Sequence, residues 1–332
     1  MRKGIISVGT WLVDMLKFIE TYPAAGNLTT IVKEESGLGG CSHNVLVDLA
    51  KMKTGLPLYA GGCVGNDANG DYILSEIEKN NIDARYMHRI ENATTSYTDV
   101  MIPMDGTSKR TYFHNRGANA CLDIEHIEQI DVPAKIFHLG YLLLLDKLDA
   151  EDAEYGIKAA RALHRLQQKG YKTSVDVVSE EGNRFRQVIL PCLPYIDYLI
   201  INEIEAGACY DQPLRDENDE INLEKVKEAA RFLMGKGVGK ICAIHFPEGG
   251  YALAKNGDDC FAPSDRLSDK EIVSTVGAGD AFCAGMLYML HEEKTLRESL
   301  IFANASARFN LMHASCTGGA PTLETIKEFI LS

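Results

Sequence analysis

The chain has 332 residues, of which 45% are apolar and 24% charged. That usage excludes wholesale disorder, a collagen repeat and a coiled-coil rod, and at ~150 residues per domain it leaves room for two domains or one large one. Lys and Arg total 34 against 47 Asp and Glu, a formal charge of −13, which excludes a general binder of nucleic acid or anionic membrane, although one local anion site can oppose the net field. The nine cysteines form no Cys-x-x-Cys pair. Most sit in apolar company, as reduced, buried thiols of a cytoplasmic protein do. The histidines show no His-Glu-x-x-His, so nothing in the spacing announces a zinc site.

In chain order, GIISVGT (4–10) reads as a buried strand, not a signal peptide, because Asp14 ends the apolar stretch and no small-residue cleavage site follows. Residues 42–52 are helical, with Val45, Leu46, Leu49 and Met52 on one stripe. LPLYAGGC (57–63) is strand-like and 72–80 is helical again. KIFHLG (135–140) is a buried strand, and YLLLL (141–145) is far too short to cross a bilayer. A helix is expected near 151–169, ended by Gly170. TSVDVV (173–178), DYLIIN (197–202) and ICAIHF (241–246) are further strands. Apolar strands between amphipathic helices predict a mainly parallel sheet covered on both faces. Two stretches break the rhythm. Residues 11–36 carry no helix signal, and 94–117 alternate as a hairpin about Asp105-Gly106. They predict a small β excursion from one α/β core spanning 1–332.

The strongest chemical signal is STVGAGDAFCAGMLYML, 274–290. Gly277, Ala278 and Gly279 have almost no side-chain bulk, so their backbone N–H groups can approach a ligand. The uncharged helix that follows is expected to be buried, and its N-terminus is an anion site. A carboxylate at that place, Asp280, does not bind the anion; it is placed to take a proton from something approaching it. The competing reading of Asp280 is a plain N-cap.

GAGDAFCAG resembles the C-terminal motif of the ribokinase family, the PfkB-type carbohydrate kinases. Further similarities follow in order: GLGGCSHNV (37–45) to the family's Gly-Gly…Asn motif, GGCVGNDANGDY (61–72) to its Val-Gly-x-Asp-x-x-Gly segment, and Asn202-Glu203-Ile204-Glu205 to its Asn-x-x-Glu motif. Together they run from about residue 4 to 330. The resemblance implies a ribokinase-like α/β fold with a β-sheet lid formed by 11–36 and 94–117. It implies transfer of the ATP γ-phosphoryl group to an alcohol of a sugar or nucleoside, with Asp280 as base and the N–H groups of 277–279 as the anion hole. Asp14, Gly39, Gly40 and Asn44 would line the sugar pocket, with Arg116, and less so Arg110, as basic candidates. Asn202 and Glu205 would organise Mg²⁺ and phosphates, Glu205 through water. Ordinary strand-end and helix-start roles, a loop acid at Asp14 and solvated arginines are the bland counterparts of these assignments.

The family pattern is broken at two places. Ser274 stands where the family has Asp, which leaves a monovalent-cation site open. The nucleotide loop reads His245-Phe246-Pro247-Glu248-Gly249-Gly250, so His245, Glu248 and Gly250 are its cofactor-binding candidates and donor preference is left open. Asn304, in FANASARF, is the candidate contact to the nucleotide base. No Walker A motif occurs, so this is not a P-loop kinase. The expected function is an ATP- and Mg²⁺-dependent sugar kinase, dimeric through its lid. The alternatives are a nucleoside kinase, with Trp11, Met15 and Phe18 near the acceptor, or a non-catalytic sugar sensor on the same fold.

Overall fold

The structure is a computed structural model that describes residues 2–106, 110–179, 184–268 and 270–332. Its larger sheet has nine strands, ordered in space Asp259–Pro263, Gly249–Ala254, Ile241–Phe246, Tyr198–Asn202, Lys172–Val177, Ile136–Leu142, Ile5–Gly9, Leu58–Gly65 and Asp83–Ile90. The last seven run parallel, and the first two extend that edge antiparallel. Alternate residues of these strands enter opposite cores. Ile6, Leu139, Leu199 and Cys242 go to one side; Ile5, Ile136, Ile200 and Ala243 go to the other. That period of two is why the buried strands are apolar throughout.

The helix Ala278–His291 lies in the second core, between Cys41–Lys51 and Leu296–Leu311. Its small residues set the spacing: a Cβ on Gly285 would stand 2.8 Å from the Cα of Ala303. The expected helix over 151–169 begins only at Lys158. Residues Glu151–Asp152 and Gly156–Ile157 form a two-stranded ribbon before it. Asp152 starts a turn there, accepting the N–H groups of Glu154 and Tyr155 at 3.0 Å.

The smaller sheet has four strands, ordered Ile31–Gly39, Leu12–Ile19, Tyr97–Pro103 and Thr111–Asn115. It is built from the two stretches that broke the helical rhythm, although residues 107–109 lie outside the described residues. The strand pairing runs on to Gly39, so Gly39 is strand and not loop. Trp11 is not a pocket residue. It is fully buried in the core, donating its indole N–H to Gly61 O at 2.9 Å.

Candidate active site

Chemistry-bearing side chains collect at the carboxyl ends of the parallel strands, where open α/β sheets bind ligands. Tyr141, Asp176, Asn202 and His245 each sit at or one residue before the end of a different strand. They share a chamber of about 250 Å³ with Glu205, Gly277, Gly279 and Asp280. The chamber adjoins a cleft of about 800 Å³, with Asn202, His245 and Gly279 lining both.

Gly277 is the N-cap of the helix Ala278–His291, with φ +82°, and no side chain caps that end. The left-handed backbone requires glycine here, and an added Cβ would stand 2.4 Å from Cys316 O. Asp280 is therefore the third residue of the helix and not its cap, which removes the plain N-cap reading. The Ala278 N–H already donates to Thr275 O at 3.3 Å. Among the described residues, no acceptor takes the N–H of Gly277 or Gly279.

The Asp280 carboxylate is buried, which pushes its pKa up to about 6. Three donors restrain the rise by favouring the anion: Asn44 Nδ2 on Oδ2 and the Tyr141 hydroxyl on Oδ1, each at 2.8 Å, and the Cys41 thiol. Asn44 Oδ1 in turn lies 2.9 Å from His43 Nδ1. Asn44 thus contacts Asp280 directly.

Glu205 and Asn202 form a capping box at the helix Glu203–Tyr210. Glu205 Oε2 accepts the Asn202 N–H, and Oε1 accepts the Ser179 hydroxyl and the Asn202 side-chain amide, at 2.8–2.9 Å. Burial pushes the Glu205 carboxyl up to about 7. Burial and the negative field of Glu205 and Asp280 push Asp176 up as well. None of these three carboxylates forms an ion pair with Lys or Arg among the described residues. Buried oxygen donors with uncompensated charge suit a hard divalent cation, so this end of the chamber fits Mg²⁺.

On the small sheet, Asp14 stands opposite Gly37 and Thr98. Burial raises its carboxyl to about 6 against a hydrogen bond from Thr98. Gly39 makes room for it: a Cβ there would lie 2.6 Å from Asp14 Oδ2. The Cys316 thiol feels both acids: burial, and then the negative fields of Asp14, Asp280 and Asp48, push it up to about 12. Gly40 caps the helix that carries Asn44. Arg116 is engaged elsewhere, pairing with Asp146 at 2.5 Å and donating to Leu143 O at 2.9 Å.

The segment His245–Gly250 is a tight hairpin between antiparallel strands, not an open loop. His245 faces the cleft and packs on Phe282, with ring centroids 4.8 Å apart. Glu248 points to a neighbouring groove, held by Arg215 at 3.1–3.2 Å. Gly250 packs under Phe282 and Leu300. Asn304 lines the cleft and ties its floor by donating to Ala262 O at 2.9 Å. Ser274 Oγ accepts the Val276 N–H at 3.2 Å within its own loop. Tyr141 and Asp176 were missed by sequence reasoning, though an acid near the end of a buried parallel strand is a signal in itself.

The family model for the pfkB family carbohydrate kinases matches residues 3–323. The chain belongs to the pfkB family of carbohydrate kinases. This pfkB-family kinase is 24% identical to a ribokinase of Schizosaccharomyces pombe, over 96% of this chain and 95% of the relative. Its fold matches the structure of Arabidopsis thaliana ribokinase complexed with ribose and ATP, with a TM-score of 0.80, 21% identity and 99% of each chain covered. It also matches an E. coli structure in complex with ATP and Mg²⁺, with a TM-score of 0.77, 17% identity and 99% of each chain covered. No helix among the described residues is long and apolar enough to cross a membrane.

Proposed function

We propose that this kinase transfers the γ-phosphoryl group of ATP to a hydroxyl of a small sugar, with Asp280 as general base. The observation that carries this reading is the position of Asp280. It is a buried carboxylate lining the chamber, with a pKa of about 6, and the residue before it, Gly279, lines both chamber and cleft. A base of that pKa is ionised at neutral pH and still able to hold a proton in the transition state.

The step balances simply. The acceptor oxygen attacks the γ-phosphorus, its proton passes to the Asp280 carboxylate, and the bond from phosphorus to the β,γ-bridging oxygen breaks to release ADP. The N–H groups of Gly277 and Gly279 stabilise charge on the moving phosphoryl oxygens. The cleft bearing His245 and Asn304 takes the nucleotide, and Asp14 with Gly39 and Gly40 faces the sugar. Mg²⁺, when bound with ATP, would neutralise phosphate charge, with Glu205, Asn202 and Asp176 as its holders, Glu205 through water.

The small sheet acts as a lid inserted in one ribokinase-like unit, excluding water from the transfer. Its outer residues Ile31, Val32, Tyr112 and Phe113 are about half-exposed. Neighbours in a strand point to opposite faces, so these two edge strands expose apolar side chains on both sides of the sheet. Exposed apolar surface favours cover by a second copy, and the lid is the dimer interface we propose. All nine cysteines are free, which suits a reducing cytoplasm. A panel of sugars and nucleosides assayed for ADP release tests the reading. Sugar-dependent release supports it, and release with no acceptor on the panel, or none at all, counts against it.

A further inference from the structure

Behind Asp280 lies a buried thiol that the transfer does not use. Cys41 opens the helix Cys41–Lys51 and is fully buried. Its sulfur and one oxygen each of Asp176 and Asp280 lie within 4.8 Å of one another. The distance from Sγ to Asp176 Oδ2 is 3.8 Å. Around a tetrahedral zinc with Zn–S of about 2.3 Å and Zn–O of about 2.1 Å, such ligand atoms stand about 3.4–3.6 Å apart. The Cys41–Asp176 pair is thus near the zinc spacing before any ion arrives, and Asp280 completes the set within 4.8 Å.

Two further observations point to a cation. His138 Nε2 lies 3.3 Å from the Cys41 sulfur, and its Nδ1 lies 3.1 Å from Ser174 Oγ, which orients the ring. In the tautomer whose Nδ1–H donates to Ser174 Oγ, Nε2 accepts the thiol hydrogen bond. Asp176 and Asp280 are also uncompensated by any Lys or Arg pair among the described residues, and both line the chamber. The chamber supplies an entry path and a fourth ligand position for water.

We propose that Cys41, Asp176 and Asp280 form a thiolate–carboxylate site for zinc-class transition metals, whose occupation takes the Asp280 oxygens and silences the kinase. Binding exchanges the Cys41 thiol proton for the metal ion. Mg²⁺ does not compete for the sulfur, because a thiolate selects softer ions. The silencing rests on Asp280 being the base; the site itself does not.

Cobalt(II) is the probe. Added to the full-length reduced protein without sugar or nucleotide, it is expected to give a thiolate-to-cobalt charge-transfer band and tetrahedral visible bands. Cys41→Ser and Asp176→Asn, each checked for fold by circular dichroism, are expected to lose the charge-transfer band, and Cys283→Ser to keep it. One equivalent of Zn²⁺ under saturating Mg²⁺ is then expected to cut turnover toward the ~10²-fold loss of a removed base. Absence of the band in the wild-type protein, or its survival in Cys41→Ser, overturns the site whatever the kinase assay shows. A cobalt band with Zn²⁺-insensitive turnover overturns the silencing.

Discussion

The side-chain amide of Asn44 donates a 2.8 Å hydrogen bond to the carboxylate of Asp280, joining positions 236 residues apart. It fastens the helix after the Gly39-Gly40 segment to Asp280 and favours the charged form of a carboxylate whose pKa burial raises. The acid limb of kcat/KM is therefore expected near pH 6, the value to which Asp280 is raised, with activity falling as pH drops through it. In Asn44→Ala one donor to the anion is gone. At ~1.5 kcal/mol or more for a hydrogen bond to a charged group, the limb should move up by ~1 pH unit. A limb that stays in place would show that Asn44 does not bear on the base.

The same burial predicts a stability effect of opposite utility. The folded pKa of Asp280, about 6, lies above the ordinary 3.8, so the native state holds the proton more tightly than the unfolded chain. The stabilisation this confers is complete below pH ~4 and is lost as pH rises through about 6; ionisation costs at most about 3 kcal/mol above that. Asp280→Asn removes the titration. Its melting temperature relative to wild type should become more favourable between pH 4 and 7. A difference independent of pH would contradict the raised pKa.

Gly277→Ala should be costly. The residue sits at φ +82°, and an added Cβ meets Cys316 O at 2.4 Å. The left-handed conformation alone costs ~1–2 kcal/mol for a residue with a Cβ, so the unfolding free energy from urea titration should fall by more than that and the midpoint with it. A midpoint equal to wild type would mean that the turn relaxes freely and need not shape the anion hole.

What the sequence disclosed follows what is local. ICAIHF at 241–246 is a strand with those limits, since its apolar, β-branched run leaves no helical alternative. Gly277-Ala278-Gly279-Asp280 is contiguous, so the role proposed for it rests on one motif. The partners of Asp280 could not, because Tyr141 and Asn44 reach it only when separate strands and helices converge. Asp176 was hidden inside TSVDVV, whose apolar neighbours read as a strand and nothing more. The Cys41–Asp176–Asp280 set has no spacing at all that a metal motif would show. His245–Gly250 looked like a nucleotide loop by its place in the chain, whereas hairpin pairing folds Gly250 into the core and Arg215 takes Glu248.

Glu205 tests the metal end of the chamber. Its two oxygens accept three hydrogen bonds from Asn202 and Ser179, so Glu205→Gln keeps the shape but removes the charge. The Mg²⁺ concentration for half-maximal rate should rise ~10-fold, as it does for residues that support a metal from outside its first ligands. Equal rates at limiting Mg²⁺ would remove Glu205 from that role. Chelation by EDTA should abolish turnover in both proteins.

The most direct measurement is the turnover of Asp280→Asn with ATP and the best sugar acceptor. The substitution preserves size and leaves the helix N-cap, Gly277, untouched, so loss of a cap cannot explain a loss of rate. With Asp280 as the base, sugar and nucleotide binding should persist while turnover falls by at least ~10²-fold. A variant that binds both ligands and keeps most of its turnover would contradict proton transfer to Asp280.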